Sequence, residues 1–502
     1  MSQLAQHAHL LEPLVLALPL DRYRDAFPTA RGGFVLDGGD VAMLGAEPFL
    51  AFRAFRSERR LASGAFSARV VIEEQGATVR ADVDDPFAIL RALLREHAVD
   101  PAVFPDRPLP FLAGAVGYIG YEAGQMLERL PGLARPRLDM PDIAVSFHDW
   151  VLGTCRRTKL SYLSVLGRAP TTPLARAAAE RTRDRVLAAI ARFEAQAAPL
   201  APPAAAIGLT SGDASSVSLL AAAHAEEHVP RDAYLAKVAT AKRHILDGDA
   251  FEICLTHRID APFAGDPFAL WQELRRASPS PFAAFLDLPE GAVVSSSPER
   301  FLSLDAAGVV ESRPIKGTRP RGTSPADDAR LAGELASSVK DRAENAMIVD
   351  LVRNDLGRVC RFGSVEAPEL YAVESYATVH QLVSTVRGEL DEGYDAVDVI
   401  RACFPPGSMT GAPKIEAMTI LERLEPTERG VYSGALGWLD FSGPLDLSVV
   451  IRTIVVKGGR AYLHVGGAVV ADSDPPTEHD ETMHKARALL EALVALAGRS
   501  SP

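Results

Sequence analysis

Cysteine is scarce: Cys155, Cys254, Cys360 and Cys403 are the four in 502 residues, far apart and without a C-x-x-C pair. Such spacing excludes a zinc knuckle and a disulfide framework, and it fits a reducing cytoplasm. Long apolar runs are missing as well. The stretch from Leu10 to Leu20 is interrupted by Glu12, Pro13 and Pro19 and follows no cationic segment, so neither a signal peptide nor a membrane span is expected. Positive charge is not in excess: 53 Lys and Arg stand against 65 Asp and Glu, a formal charge of −12. This balance argues against nucleic acid or an anionic membrane as the main partner, and an anionic ligand would need a locally basic site. No fixed-period repeat occurs, and the glycine-rich PPGSMTGAPK lacks the phosphate-loop spacing G-x-x-x-x-G-K-[ST].

What remains is a composition of 47% hydrophobic and 24% charged residues, that of a globular chain able to bury a substantial core. The texture shifts between Ala169 and Pro230, where an Ala-rich helical stretch gives way to AAPLAPPAAA. A Pro/Ala-rich connector is expected over 201–230, dividing an N-terminal region, 1–200, from a second region, 231–498. In the first, GGFVLDGGDVAMLG, SARVVIEEQG and FLAGAVGYIGYE predict short strands, and DPFAILRALLREH an amphipathic helix. The second predicts a helix over Tyr234 to Leu246. AFEICLTHRID then alternates Phe251, Ile253 and Leu255 with Glu252, Cys254 and Thr256, as a half-buried strand does. VYSGALGWLDF, LSVVIRTIVV and AYLHVGGAVV predict three successive antiparallel strands, followed by a helix capped by Asp474 and Pro475 and closed by Gly498. The class is α+β.

Two segments place carboxylates one helical turn apart: Asp341 and Glu344 in KDRAENAMIVDLVRND, and Glu478 and Glu481 in PPTEHDETMHKARALL. Converging from two helices, they would suit a hard cation such as Mg²⁺, which takes carboxylate and water oxygens. Either helix alone is as readily a solvated acidic face, and Lys485 a surface partner of Glu481. SRPIKGTRPRG sets Arg313, Lys316, Arg319 and Arg321 close together with no acid among them, a positive field for an anionic ligand or a basic surface loop. His380, in SYATVHQLVS, reads as a catalytic or a core histidine.

The order and wording of SSSPERF, RPIKGTRPRG, DRAENAMIVDLVRNDLGRV, ESYATVHQLVSTV, GSMTGAPK, GGAVVADSDP and ETMHKARALL together resemble the chorismate-utilising enzymes. That family includes anthranilate, aminodeoxychorismate, isochorismate and salicylate synthases. The resemblance runs from about Arg231 to Leu496, and FLAGAVGYIGYE extends it into the N-terminal region. It implies two large antiparallel β-sheets packed across one another and flanked by helices, as in anthranilate synthase component I. It also implies Mg²⁺ held by Glu344 and Glu481, with Asp341 and Glu478 assisting through water. Tyr432, Arg452 and a backbone N–H at Gly466 are implied as the clamp for the enolpyruvyl carboxylate of chorismate, with Thr318, His380 and Lys485 lining the ring and metal end. Glu299 of SSSPER is implied as the acid that protonates the departing C4 hydroxyl.

One departure and one match select the branch. Members that add water at C2 are similar to one another in carrying a basic lysine where this chain has Glu252, which argues against them. Anthranilate synthases usually show PIAGT; the PIKGT here is the mark of the aminodeoxychorismate branch, in which Lys316 would attack C2 and ammonia would then take C4. The implied activity is Mg²⁺-dependent amination of chorismate for p-aminobenzoate and folate; the alternatives are an anthranilate-forming enzyme and a nonenzymatic chorismate-binding subunit. A lysine attacks only as the neutral amine, which a neighbouring metal and arginines would promote. No cysteine sits in a glycine-rich nucleophile turn, so a separate glutamine amidotransferase is the expected ammonia source.

Overall fold

Elements form where capping and periodicity agree. In DPFAILRALLREH, Asp85 accepts bonds from the backbone N–H groups of Phe87 and Ala88, and Pro86 opens the Pro86–Glu96 helix. Its Phe87, Ile89, Leu90 and Leu93 stripe is buried, the spacing of a one-faced helix. Asp474 likewise accepts from the backbone and hydroxyl of Thr477 at the start of the last helix, Pro475–Ala497. The computed structural model describes residues 6–28, 32–74, 76–133, 135–197, 216–376 and 379–497; Gly498, the expected stop, lies outside the described residues.

Two 12-stranded antiparallel sheets make up the body. The first runs from Gln6–Leu14 at one edge through Gly33–Gly38, Phe282–Leu288, Gly291–Ser297, Thr453–Lys457 and Arg460–Val469 to Glu252–Pro262 near the other. The second runs from Ile315–Pro320 through Val379–Glu389, Arg300–Leu304, Leu445–Val449, Ala435–Asp440 and Gly114–Ile119 to Ala77–Asp84. Facing residues, among them Phe34, Phe111, Tyr118, Leu286, Val293 and Trp438, fill the space between them. The helices Thr172–Gln196, Pro267–Ala277 and Pro475–Ala497 cover the first sheet, and Pro86–Glu96, Val339–Leu356 and Ala396–Cys403 the second. Each large apolar side chain so buried contributes about 1.5–3 kcal/mol. The expected α+β class and crossed sheets are both present. Among the described residues no helix is long and apolar enough to cross a membrane.

Both sheets draw on both sides of the expected connector, with Val35 pairing Phe285 in one and Val116 pairing Trp438 in the other. The division at 201–230 is therefore one of sequence texture and not of sheets. Residues 198–215 lie outside the described residues, but the rest of the segment is built into the body. Ser216–Ala222 is a helix that buries Leu219, and Glu226–Glu227 pairs with Ile259 and Asp260.

LSVVIRTIVV, expected as one strand, is two: Leu445–Val449 belongs to the second sheet and Thr453–Lys457 to the first. Between them Arg452 takes φ 50°, a left-handed backbone that costs a non-glycine residue roughly 1 kcal/mol or more and that clusters at functional sites. A second crossing mirrors it, since Gly291–Ser297 leaves the first sheet and Arg300–Leu304 enters the second through Glu299. The crossings are tied together: Val449 N–H donates to Glu299 O at 3.0 Å, Ser297 Oγ to Val449 O at 2.6 Å, and Ser296 N–H to Arg452 O at 3.1 Å. The expected acid and clamp arginine thus sit on adjoining passages between the sheets.

Candidate active site

The Glu252–Pro262 strand is buried on both faces, not half-buried as its alternation predicts, and Phe251 before it is 68% exposed. The polar face is covered because other charged groups meet it. Lys316 reaches it from the second sheet. The pairing of Ile315–Pro320 with Val379–Glu389 slips between Ile315 and Thr318, and Gly317 there has φ 83°. A Cβ on Gly317 would come 2.8 Å from the Asp341 carboxyl carbon, so the irregularity needs glycine. Lys316 Nζ lies 2.6 Å from Glu252 Oε1, with Lys316 10% exposed at its side chain and Glu252 fully enclosed. Glu252 Oε2 has no hydrogen-bond partner. Gly411 packs against the same strand; a Cβ there would meet Glu252 O at 2.1 Å.

Burial alone would depress the Lys316 ammonium, but the adjacent Glu252 carboxylate, followed by Glu344, reverses the sign and holds its pKa above the ordinary lysine value. In the metal-free chain Lys316 is thus an ion-paired ammonium, and the expected promotion of the neutral amine by a neighbouring metal concerns the loaded site. The expected positive field is corrected, because every member of the basic run has an acid. Arg313 pairs with Glu374, Arg319 with Asp341 at 2.8 Å, Arg321 with Asp328 at 2.7 Å, and Lys316 with Glu252.

Glu299 is 5% exposed, and burial pushes its pKa up to about 7 against the pull of bonds from the Ser408 side chain and the Ile315 backbone and of the Lys316 charge. A carboxylic acid that keeps its proton near neutrality is what protonation of a poor leaving group requires. Ser408 comes from GSMTGAPK, whose role is to brace this acid and the Glu252 strand rather than to cradle a phosphate.

Arg452, Lys485 and Gly466 are brought together: Arg452 Nη1 donates to Lys485 O at 3.2 Å, and Lys485 Nζ to Gly466 O at 2.9 Å. Tyr432 is buried with its ring stacked on His464 at 5.3 Å, and Ser433 beside it has φ 66°. Thr318 is exposed, one strand position from Arg319. His380 is 1% exposed and both ring nitrogens are engaged, Nδ1 with Ser375 at 2.7 Å and Nε2 with Asp328 at 3.0 Å. Its ring is held in place, with no free nitrogen to offer a substrate.

The four acids expected at a metal lie on the two helices, each with its own partner. Asp341 takes Arg319, Glu344 faces Lys340 at 3.8 Å, Glu478 accepts from Ser473 at 2.6 Å, and Glu481 pairs with Lys485 at 2.7 Å. Among the described residues no three His, Cys, Asp or Glu side chains are gathered as for a metal ion. The donor set itself fits a hard cation, since all four are carboxylates, and burial pushes Glu344 up to about 7 against the pull of Lys316 and Lys340. The lysines Lys340 and Lys485 supply the compensating charge in this arrangement.

Sequence reasoning did not find Glu425, Arg429, Ser408 or Lys340, and noted Glu252 only as a departure from relatives. Arg429 is buried and bonds Glu425, Met409 O, Ser433 Oγ and Cys254 O, bracing the turn that carries Tyr432. EPTERG gives no local sign of this, because the partners lie as far as 175 residues away.

Residues 51–491 match the family model described as chorismate binding enzyme. The aminodeoxychorismate synthase of Streptomyces griseus is 47% identical over 402 residues, 79% of this chain and 52% of that protein, so the chain spans about half its length. Aminodeoxychorismate synthase component 1 of Klebsiella aerogenes is 40% identical over 420 residues, 84% of this chain and 85% of that one. The solved anthranilate synthase component I of Streptococcus pneumoniae superimposes with a TM-score of 0.72 at 27% identity, over 90% of this chain and 92% of that chain. With the family model matching residues 51–491, most of its length, the chain belongs to the chorismate binding enzyme family.

Proposed function

We propose that the chain acts as the synthase component of an aminodeoxychorismate synthase, converting chorismate and ammonia to 4-amino-4-deoxychorismate for p-aminobenzoate and folate synthesis. The observation that carries this reading is Lys316, a lysine turned into the site by a glycine bulge and enclosed beside Glu252 and Glu299. Arg452 and Tyr432, with the backbone at Gly466, bind the enolpyruvyl carboxylate; Lys485 stands between Gly466 and Glu481 and lines the ring toward the metal end, Thr318 lines that end as well, and His380 steadies the Thr318 strand. Lys316 Nζ attacks C2, the ring's conjugated double bonds relay the electron pair to C4, and the C4 oxygen leaves as water with the Glu299 proton. Ammonia then attacks C4, the double bonds shift back, and the C2–N bond breaks to release Lys316.

Glu344 and Glu481 would hold Mg²⁺, with Asp341 and Glu478 through water; bound there, it supplies positive charge to the ring carboxylate beside C2. Ammonia would come from a separate glutamine amidotransferase subunit, a reading supported by the words "component 1" in the Klebsiella relative's name and by the burial of all four cysteines. Free buried thiols support placement in the cytoplasm.

The likeness to a solved anthranilate synthase favours one second reading, amination at C2. Mass analysis of the product from chorismate, Mg²⁺ and ammonium separates the two. Lys316→Ala, which turns PIKGT into PIAGT, is expected to abolish the C4-aminated product and shift residual turnover toward C2. Wild-type rate and the same product from that variant would overturn the proposal.

A further inference from the structure

The Lys316 ammonium has no lone pair with which to attack C2, so something must take a proton from it. We propose that Glu252 is that acceptor, a catalytic base acting on the nucleophile itself; the inference rests on the reading of Lys316 as the C2 nucleophile.

Four observations carry it. The Nζ to Oε1 distance of 2.6 Å is already a proton-transfer distance, and neither group is appreciably exposed, so no bulk water competes for the proton. Oε2 of the same carboxylate is buried and unpartnered, so the carboxylate keeps acceptor capacity beyond the bond to Lys316. The other acids around Lys316 have different work: Glu299 enters as the proton donor to C4, and Glu344 and Glu481 face the metal end. Cys254, the remaining titratable neighbour, is buried on the same strand with its thiol pushed up by burial, which makes it a poor acceptor. Finally, Gly411 approaches the Glu252 backbone closely, which fixes the stretch of strand from which the carboxylate projects toward Lys316.

The step balances. The pair is already enclosed, and in such surroundings a neutral amine and carboxylic acid lie closer in free energy to the charged pair than they do in water. The proton passes from Nζ to Oε1, leaving a neutral amine and a carboxylic acid. Nζ forms its bond to C2, and the C4–O bond breaks as the oxygen leaves with the Glu299 proton. When ammonia displaces the lysine, the freed amine recovers its proton from Glu252.

Glu252→Gln keeps the size and the hydrogen bond but accepts no proton. Wild type and variant, each verified as folded by circular dichroism and by retained chorismate affinity, are mixed with chorismate and Mg²⁺ without ammonia. They are acid-quenched over time from pH 6 to 9, and the Lys316 adduct is read by intact mass. Adduct formation in the variant is expected to be ~100-fold slower at pH 6.5, within the range of a lost general base. The gap is expected to narrow by about tenfold per pH unit as hydroxide takes over the deprotonation. The Glu299 limb is common to both proteins and cancels in the ratio. Glu252→Asp should restore part of the rate and the flat ratio. Glu252→Gln rates within threefold of wild type across the range, or above it, overturn the role of Glu252, as does a wild-type-to-Gln ratio that stays constant with pH, which marks a merely structural pair. Absence of adduct in wild type, or C4-aminated product from Lys316→Ala, overturns instead the reading of Lys316 on which this rests.

Discussion

Two enclosed ion pairs meet the Glu252–Pro262 strand, and they are built differently. Glu425 accepts from Arg429 through both oxygens and from the backbone and hydroxyl of Thr256, while Arg429 also serves three further acceptors and lies over the Tyr121 ring. Glu252 has one bond, to Lys316, and one bare oxygen. Saturated charge holds a structure in one state, because any other arrangement leaves groups unpaired; half-satisfied charge is a reservoir that a substrate can draw on. The first pair fixes the turn bearing Tyr432, and the second keeps the reactive nitrogen.

Removing an arginine from the saturated pair should have the largest effect. Arg429→Ala leaves Glu425 enclosed and uncompensated and strands the Cys254 and Met409 carbonyls, so a loss of about 3–5 kcal/mol is expected in urea denaturation. Lys316→Ala strands one carboxylate that can take up a proton, and about 1–2 kcal/mol is expected. Equal losses from the two variants would remove the distinction between them.

Glu299→Gln should lower the rate of C4 amination by about 10²–10⁴-fold, the range of a lost general acid. Wild-type activity should fall as pH rises through about 7, where Glu299 gives up its proton. Stability has the same sign. Folding raises this pKa from 4.5 to about 7, so the native chain keeps a proton that the unfolded chain has released. The associated stability is full below pH 4.5, declines between 4.5 and 7, and is gone above that. The glutamine variant lacks this decline and should overtake wild type by about 3 kcal/mol at pH 8 in denaturation curves. Matching pH profiles for the two proteins would contradict the account of Glu299.

Much of this division could not be read from the chain. Periodicity and caps were enough for Pro86–Glu96 and the Asp474 start, where every signal lies within one turn of the helix. The strands erred where tertiary context decides. Residues 445–457 read as one apolar run because both halves are buried, in different sheets, and only the left-handed Arg452 marks the passage. The Glu252 strand read as half-buried because pattern cannot tell a solvated polar face from one closed over by a lysine of another sheet. Family wording drew attention to Lys316, Glu299 and Arg452, the first two lying within the quoted motifs RPIKGTRPRG and SSSPERF. Glu425 and Arg429 lie in an unremarkable charged turn whose partners are remote in sequence.

Magnesium offers a further way to separate the two kinds of charge. If the acids of the two helices hold the ion, millimolar Mg²⁺ should displace the lysines from Glu344 and Glu481 and raise the wild-type melting temperature by a few degrees. That corresponds to about 1–3 kcal/mol at 10- to 100-fold excess over Kd. Glu344→Ala and Glu481→Ala should show no such rise, and excess chelator should stop wild-type turnover. A melting temperature indifferent to Mg²⁺ together with full activity in chelator would dispose of the metal.

The smallest effect expected is at Ser408, which gives Glu299 one of the few bonds it has. The hydroxyl favours the ionised acid, so its removal should raise the Glu299 pKa further above 7. In Ser408→Ala the alkaline limb of the rate profile should move upward by less than about one pH unit, the scale of a single hydrogen bond to a charged group. At pH 6, where Glu299 is protonated in both proteins, the rates should coincide, and denaturation should show a change below about 1 kcal/mol because Ser408 is half-buried and the substitution removes a single hydroxyl. A limb that moves downward, or a uniform loss of rate at every pH, would mean that Ser408 positions the chain at the crossing between the sheets and leaves the acidity of Glu299 to burial alone.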